Sequence, residues 1–578
     1  MHEIHDFEAL LKLEKWALYS ALVGIVAGMG AVAFDLLTSA CETFFLRILV
    51  NYSHEMLIEN PSLEFRWYLL PFITRVGGLL SGLLVYGLAP EAGGHGVNAV
   101  IRSLHQLSGL IHRKIVLVKM LASAITIGSG GSAGKLGPVA QVSAGLSSWL
   151  AHMLRAIPYD RRIMVMCGVA SGIGAMFRAP LGAAFFAIEV LYRRDFESEA
   201  LIPAIISSIM AYTVYILFMG TESAFYVPRH EMPSVYNFPL YALLGVVTGF
   251  VAILYVRLFY GMRNLIFKNI PAPKALIPMI GGILTGIVGI FYPHILGTGY
   301  EWIELAILGR LSLDFMLILI LTKMLTTSLT LGSGGSGGVF APLLFIGAMI
   351  GGAFGALLQG FIPGTTSSIS HFAIVGMASF FAAAAKIPLA SIVMIVEMTR
   401  GYEMLVPTII ASVLAYVISG ELTIYESQVL SKERSPFHTH LLIKRVLRHY
   451  KVESVMTTNY VAFKPYERVI DVIMKSIKVP YGVFPVIQGG RLVGAVIYGD
   501  LIKLISKETR MMPIVKVMKK NVPIICPNET LDKALDEMLS YGMNVVVVVD
   551  SIDNMKLMGI VTRSNIMELL WRRSRRAS

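Results

Sequence analysis

Charged residues are scarce in this sequence. Only 15% of its 578 residues are Asp, Glu, Lys or Arg, whereas soluble domains carry about 25%. Hydrophobic residues make up 55% of the chain, and the mean hydropathy is +0.68. A chain that is soluble throughout is therefore excluded, and most of the molecule is expected to lie in a lipid bilayer.

Cysteine is scarce as well. The three cysteines, Cys41, Cys167 and Cys526, are far apart in the sequence, so they predict neither a disulfide framework nor a thiolate metal site. No group of His, Cys, Asp and Glu has the spacing of metal ligands, and no nucleophile–base pair is recognisable. We therefore expect no metal, no required cofactor and no enzymatic activity.

Positive charge is plentiful but dispersed. The formal net charge is +12, and the basic residues lie in loops and in the tail Trp571–Ser578 rather than on one surface that would bind nucleic acid. Cytoplasmic loops and tails of membrane proteins typically carry such residues. The sequence thus predicts a multi-pass membrane protein with its basic tail in the cytoplasm and no nucleic-acid partner.

One Gly/Ser-rich stretch occurs twice. KMLASAITIGSGGSAGKLGP (119–138) returns without a gap as KMLTTSLTLGSGGSGGVFAP (323–342), 204 residues later. In each copy an apolar helix runs into a turn, and a proline then suits the first turn of the next helix. A helix start buried among apolar segments leaves N–H groups that favour an anion. Two such starts are expected to face one another inside the bilayer.

The duplication extends beyond this stretch. GVASGIGAMFRAPLGAAFFAIEV (168–190) matches GMASFFAAAAKIPLASIVMIVEM (376–398), within apolar segments predicted near Ile163–Leu191 and Phe372–Met398. We therefore divide a membrane domain, 1–430, into two repeats of about 17–235 and 236–430. Apolar helices broken by Gly or Pro at corresponding places in two halves point to a transport site.

The composition changes after the membrane domain. A linker, 431–445, precedes two similar stretches, 446–508 and 509–578, of which the second includes the basic tail. Each reads as a V-M dipeptide, an extended stretch, a helix, two strands and a closing helix. This pattern predicts a tandem pair of small cytosolic α/β domains.

Four motifs carry a likeness and follow one another along the chain: GSGGSAGKLGP, FRAPLGAAFFAIEV, GGVFAP and TIYESQ (Thr423–Gln428). Together they resemble the CLC family of chloride channels and anion/proton antiporters, and the following pair resembles tandem CBS domains. The resemblance implies an α-helical membrane protein with an inverted internal repeat, plus a small cytosolic α/β CBS-domain pair. It also implies a homodimer in the lipid bilayer, with inorganic anions as partners and chloride as the transported ligand.

Anion-binding residues are implied where the family's motifs match. The backbone amides of Val339 and Phe340 and the hydroxyl of Tyr425 should face the anion. Weak N–H and O–H donors bind chloride without a full counter-charge, which suits conduction. The alternative is that these aromatic residues are ordinary lipid-facing or core side chains.

Two positions depart from the family. Leu136, in GKLGP, replaces the glutamate that acts as gate and proton acceptor in GREGP, and Val190 replaces a second, inner glutamate. Neither side chain carries a proton, so we predict a passive anion channel or an uncoupled transporter. The alternatives are an antiporter whose gate is atypical or replaced and, from another class, a nucleotide-sensing regulatory membrane protein.

A third departure lies in GHGVN (94–98), where the family often has GSGIP. The imidazole of His95 would donate an N–H to the anion in place of the serine hydroxyl, and protonation would add attraction. In the alternative, His95 turns aside and backbone amides such as that of Gly96 face the ion alone.

The CBS pair carries incomplete nucleotide motifs. GIVTRSN places Thr562 and Asn565 where such domains hold phosphate and ribose, whereas GAVIYGD has Asp500 but no hydroxyl residue. The pair is expected either to bind ATP, ADP or AMP or simply to brace a dimer.

Overall fold

The computed structural model describes residues 2–53, 65–221, 225, 227, 234–361, 368–504 and 509–577, without the side chains of 2–13, 440–442 and 573–577. Ser578, the end of the basic tail, lies outside the described residues. The chain divides into two compact units, 1–437 and 438–578, so the division falls within the predicted linker.

Eight α-helices are described in the first half of the membrane unit. A π-helical segment, Thr43–Val50, extends the first of them. The helices are α1 (His2–Glu42), α2 (Leu70–Leu88), α3 (Val97–Gln106), α4 (Arg113–Gly128), α5 (Leu136–Met153), α6 (Pro158–Phe177), α7 (Pro180–Glu189) and α8 (Leu201–Met219).

The second half repeats this order of long and short helices. Across the described residues of both halves, seven helical spans are long and apolar enough to cross a membrane. The helices are α9 (Phe238–Gly261), α10 (Ile277–Phe291), α11 (Tyr300–Ile307), α12 (Leu313–Gly332), α13 (Phe340–Phe361), α14 (Ile369–Ala385), α15 (Pro388–Thr399) and α16 (Leu405–Ile418).

Two apolar segments predicted as continuous are each broken in the middle. Arg178 (φ 54°) ends α6 and Lys386 (φ 59°) ends α14 in left-handed conformation, and an X-Pro bond follows in both. A residue before proline avoids the helical region, so the chain changes direction before Pro180 and Pro388. The result is two short helices, α7 and α15, at equivalent places of the two halves.

The halves pack against each other as equivalents. A Cβ on Gly78 of α2 would lie 2.3 Å from a backbone oxygen of α10, and one on Gly282 of α10 would lie 2.2 Å from a backbone oxygen of α2. These glycines are repeat-related, and only the lack of a side chain permits so close an approach. The inverted repeat thus forms one buried core.

The ends of α7 and α15 cap each other. The carboxylate of Glu189, which ends α7, accepts backbone N–H groups at the start of α15 at 3.1 and 2.7 Å. Glu397, near the end of α15, accepts backbone N–H groups at the start of α7 at 3.2 and 2.7 Å. Each helix therefore satisfies the free donors of its repeat-related partner.

The second unit contains two small α/β repeats. Strands β1 and β2 pair antiparallel, whereas β3 is parallel to β4, which pairs antiparallel with β5. The elements after helix α17 (Pro436–Leu447) are α18 (Val469–Ser476), β1 (Val483–Gln488), β2 (Arg491–Ile497), α19 (Tyr498–Leu504), β3 (Ile524–Ile525), α20 (Leu531–Ser540), β4 (Val545–Val549), β5 (Leu557–Thr562) and α21 (Arg563–Ala577).

The two small repeats exchange their opening segments. Thr457, just after the first V-M dipeptide, pairs with Ile560 in β5 of the second repeat. Lys519, just after the second V-M dipeptide, pairs with Ala495 in β2 of the first repeat. Each repeat therefore completes the sheet of the other.

Candidate functional site

Three glycine-rich turns interlock at the centre of the membrane unit. The turn before α5 bonds to the turn before α13, because the N–H of Gly134 donates to the carbonyl of Gly338 at 2.7 Å. The N–H of Gly337 donates to the carbonyl of Gly94 at 3.2 Å, which joins the turn before α3 to the same group. The two copies of the Gly/Ser motif are thus brought together, as predicted.

Helix starts surround this junction. Val97, Leu136 and Phe340 are the first residues of α3, α5 and α13, and all three are buried. The first turn of a helix has N–H groups without an intrahelical acceptor and carries partial positive charge. A Cβ on Gly137 would lie 1.9 Å from the carbonyl oxygen of His95, so α5 begins directly against the His95–Gly96 turn.

Two buried polar groups at the junction have no hydrogen-bond partner among the described residues. They are Nδ1 of His95 and the hydroxyl of Tyr425. The two rings lie 5.4 Å apart between centroids. Buried donors are nearly always satisfied by protein, water or ligand. Two such groups side by side therefore mark a place for a ligand that accepts hydrogen bonds.

Aromatic rings enclose the same place. Phe340 packs edge-on against Phe177 at 5.0 Å and Phe381 at 4.9 Å between centroids. Phe186 lies between Phe381 and Tyr425, 6.5 Å from each. Phe340 and Tyr425 are therefore core residues and do not face lipid, and the amides of Val339 and Phe340 lie at the N-terminus of α13, just before and at its first residue.

Two lysines brace the turns from behind. Lys119 of α4 donates to the carbonyls of Ala92 and Gly94 at 3.0 and 2.8 Å. Lys323 of α12 donates to carbonyls of the equivalent turn at 2.9 and 3.0 Å. Both are fully buried, and neither forms an ion pair within the described ranges. Each lysine therefore holds one turn in place through two backbone carbonyls.

Leu136 and Val190 have apolar surroundings. Leu136 is 1% exposed and Val190 is 2% exposed, and both belong to the main hydrophobic core. Lys135, next to Leu136, points elsewhere, because its ammonium binds Asp35 at 2.7 Å. The other carboxylate oxygen of Asp35 accepts the hydroxyl of Tyr215 at 2.7 Å. At both positions, the side chain found in place of a glutamate is therefore apolar and buried.

In the second unit, one of the three residues assigned to a nucleotide lines a described cavity. Thr562 lines a cavity of about 490 Å³ together with Tyr481 and Arg563. The hydroxyl of Thr562 donates a hydrogen bond to Oδ1 of Asn565 at 2.7 Å, which holds the Thr562 side chain in place. Asp500 does not line this cavity and pairs with Lys519 at 3.1 Å.

Sequence analysis assigned no role to Asn98 or to the two buried lysines. Asn98 contacts His95 and Ser427, 329 residues away, and no local pattern indicates such a contact. The lysines left a usable signal, because each opens a copy of the repeated motif on an otherwise apolar helix. A charge kept twice within apolar helices predicts a buried, bonded group.

Comparison with known proteins agrees with this architecture. A family model described as "Voltage gated chloride channel" matches residues 77–420, and the CBS domain model matches 452–507 and 514–572. An H(+)/Cl(-) exchange transporter ClcA of Yersinia pseudotuberculosis serotype IB is 29% identical over 405 residues, which is 69% of this chain and 83% of the relative.

Solved structures share the fold. A slow cyanobacterial Cl-/H+ antiporter superposes with a TM-score of 0.63 at 20% identity, covering 70% of this chain and 94% of that one. A eukaryotic CLC transporter gives 0.60 at 20% identity and covers 96% and 98%. The resemblance predicted from the motifs is confirmed: this chain belongs to the voltage gated chloride channel family and carries two CBS domains behind its membrane unit.

Proposed function

We propose that this protein conducts chloride or a similar small anion passively, without obligatory exchange for protons. One observation carries the proposal. At the start of α5 and just after α7, the positions at which family members use glutamates hold Leu136 and Val190, and both are sealed in apolar core. An apolar side chain neither competes with an anion nor accepts a proton.

The donors at the junction suit a halide. Helix-start amides, an imidazole N–H and a phenolic O–H supply partial positive charge from several sides. Lys119 and Lys323 hold the turns without touching the ion, because their amine groups are engaged by backbone carbonyls. Binding is then favourable but not trapping, as conduction requires.

Proton exchange is the alternative, since the Yersinia relative is named an H(+)/Cl(-) exchange transporter. It would require another acid inside the membrane unit. The buried carboxylates described there are all engaged: Asp35 with Lys135, Asp160 with Lys15, Glu197 with Arg162 and Glu189 with the start of α15. Passive conduction therefore needs fewer additional assumptions.

Simultaneous recording of chloride and pH in proteoliposomes tests the proposal. A chloride gradient should drive chloride flux without net proton movement in the wild-type protein. Leu136→Glu supplies the missing acid, and Leu136→Gln is its matched control of the same shape without a charge. Stoichiometric uphill proton movement by the wild-type protein would overturn the proposal.

Assembly and placement belong to the same proposal. We expect a homodimer in the plasma membrane, with both termini in the cytoplasm. Apolar side chains exposed on α8 and α16, among them Ile202, Leu217 and Val417, suit lipid or a second copy. Single cysteines on these helices that form intersubunit disulfides, and reagent access to a C-terminal tag from one side only, would test both expectations.

Nucleotide binding by the C-terminal unit is a second candidate function. The cavity beside Thr562 combines an aromatic ring, Tyr481, with a guanidinium, Arg563, a set suited to a base and a phosphate. Its volume lies in the usual range for small ligands. Calorimetric titration of the full-length protein with ATP, ADP and AMP tests the candidate. Thr562→Val should weaken any binding that uses this cavity.

A further inference from the structure

Asn98 has only one possible amide orientation. The backbone N–H of Ser427 lies 3.2 Å from Oδ1 of Asn98 and can only donate to it. The Asn98 NH2 group therefore lies at the other end, 3.0 Å from Nε2 of His95. Because an amide NH2 has no acceptor capacity, Nε2 must accept with its lone pair.

This contact selects one form of the imidazole. A neutral histidine carries a single proton, and the bond made by one ring nitrogen determines which form is present. With Nε2 accepting from Asn98, the proton of His95 lies on Nδ1. That nitrogen is the one without a partner among the described residues.

The Nδ1–H group is not alone. The hydroxyl of Tyr425, also unpartnered, belongs to a ring 5.4 Å from the imidazole between centroids. His95 is 6% exposed and Tyr425 is fully buried, so bulk water does not serve either donor. One monoatomic anion between them would accept both bonds.

The charges around His95 are positive. Lys119 and Arg263 are the charged groups that act on its ring, and Arg263 is itself paired with Glu426 at 3.0 Å. Tyr425 is the titratable neighbour in ring contact. A second proton on Nε2 would meet the Asn98 NH2 head-on. The structure therefore favours a neutral donor at this position over an imidazolium.

We propose that Asn98 is a positioning residue that fixes the tautomer of His95, so that Nδ1–H and the Tyr425 hydroxyl together bind a small inorganic anion. The inference rests on the proposed function, since it names the donors and the determinant of their orientation. Histidine contributes here as an oriented dipole and not as a titrating charge. Asn98 achieves this without touching the ion.

Asn98→Asp tests the inference because the side chain keeps its shape. A carboxylate still accepts from the Ser427 N–H, but its other oxygen accepts a hydrogen bond from Nε2–H, which places the imidazole proton on Nε2 and leaves a lone pair on Nδ1. Chloride affinity of the full-length protein, measured by calorimetry at pH 7.5, should fall by about tenfold or more, as expected when a hydrogen bond to a charged group is lost. It should recover in part near pH 5, where the imidazolium carries both protons.

A double-mutant cycle separates the effect of the His95 tautomer on affinity from the effect of the negative charge that Asn98→Asp adds. If the added negative charge alone weakens binding, Asn98→Asp lowers affinity equally in the wild-type and His95→Ala backgrounds, with no recovery near pH 5, and the inference is overturned. The inference expects most of the loss to vanish in the His95→Ala background. Should the Asp variant fail to fold, Asn98→Ala frees the tautomer, and its loss of affinity must likewise require His95.

The two proposals fail differently. Coupled proton movement by the wild-type protein overturns passive conduction and leaves the role of Asn98 standing. Equal losses in both backgrounds overturn the role of Asn98 and leave passive conduction standing.

Discussion

Removal of one reciprocal cap should weaken the contact between the two halves. In Glu189→Ala, two N–H groups at the start of α15, one buried and one partly buried, lose their acceptor. Each such loss costs about 1–3 kcal/mol, so the free energy of unfolding should fall by about 2–6 kcal/mol in all. Glu189→Gln keeps one acceptor oxygen and should cost about half as much. Titration of micellar protein with a denaturing detergent, followed by tryptophan fluorescence, measures the difference.

The repeat supplies a matched control for this prediction. Glu397 makes the same pair of bonds at 3.2 and 2.7 Å, but its side chain is only partly buried. Water can replace its carboxylate in part, so Glu397→Ala should cost less than Glu189→Ala. An alanine variant of Glu189 as stable as the wild type, or no less stable than the glutamine variant, would refute the capping argument.

Three further outcomes are expected. Glu197→Gln leaves the buried guanidinium of Arg162, 2.7 Å away, without its negatively charged partner. The free energy of unfolding should therefore fall by about 3–5 kcal/mol, and an unchanged unfolding midpoint would contradict this. Lys323→Met removes a buried amine, whose full charge at an assumed separation of roughly 10 Å and a dielectric of about 20 would be worth about 1.7 kcal/mol, so the chloride Kd should rise, by up to about 20-fold, in calorimetry; an unchanged Kd would contradict this. Partial burial opposes ionisation of Asp532, but bonds from Thr530 and Arg448 hold its pKa below the ordinary value. The stabilising effect of the Asp532 carboxylate is therefore complete above its unfolded-state pKa and is lost as pH falls through its folded-state pKa. Hydrogen exchange of α20 should show this acid-dependent loss of protection, and Asp532→Asn should abolish it. If the loss persists in the variant, another group causes it.

Much of the fold follows from the sequence because each duplicated block keeps a constant offset within itself. An offset of 204 residues identifies the equivalent turns before α5 and α13, and an offset of 208 identifies the equivalent prolines, Pro180 and Pro388. Neither offset says that Glu189 would bind the other half rather than its own, since an offset gives correspondence and not contact. The breaks at Arg178 and Lys386 were missed because hydropathy ignores backbone angles.

The candidate site was predictable to the same degree. Phe340 and Tyr425 lie in short motifs that resemble those of the family, and the structure places Tyr425 beside His95. Asn98 was noticed only as a residue in place of proline. Its hydrogen bonds depend on the arrival of Ser427 from the far end of the membrane unit, which no local propensity encodes.

The exchange of opening segments in the C-terminal unit bears on how that unit is made. While only residues up to 508 have left the ribosome, β2 still lacks the neighbour that Lys519 will bring, and the first opening segment has no β5 to join. A nascent half-module would therefore expose a bare strand edge, the kind of edge that recruits other chains. Translation must pass Lys519 before the first sheet gains its neighbour, and it must reach β5 before the first opening segment can pair, so a stop before residue 519 would release a fragment with an open strand edge.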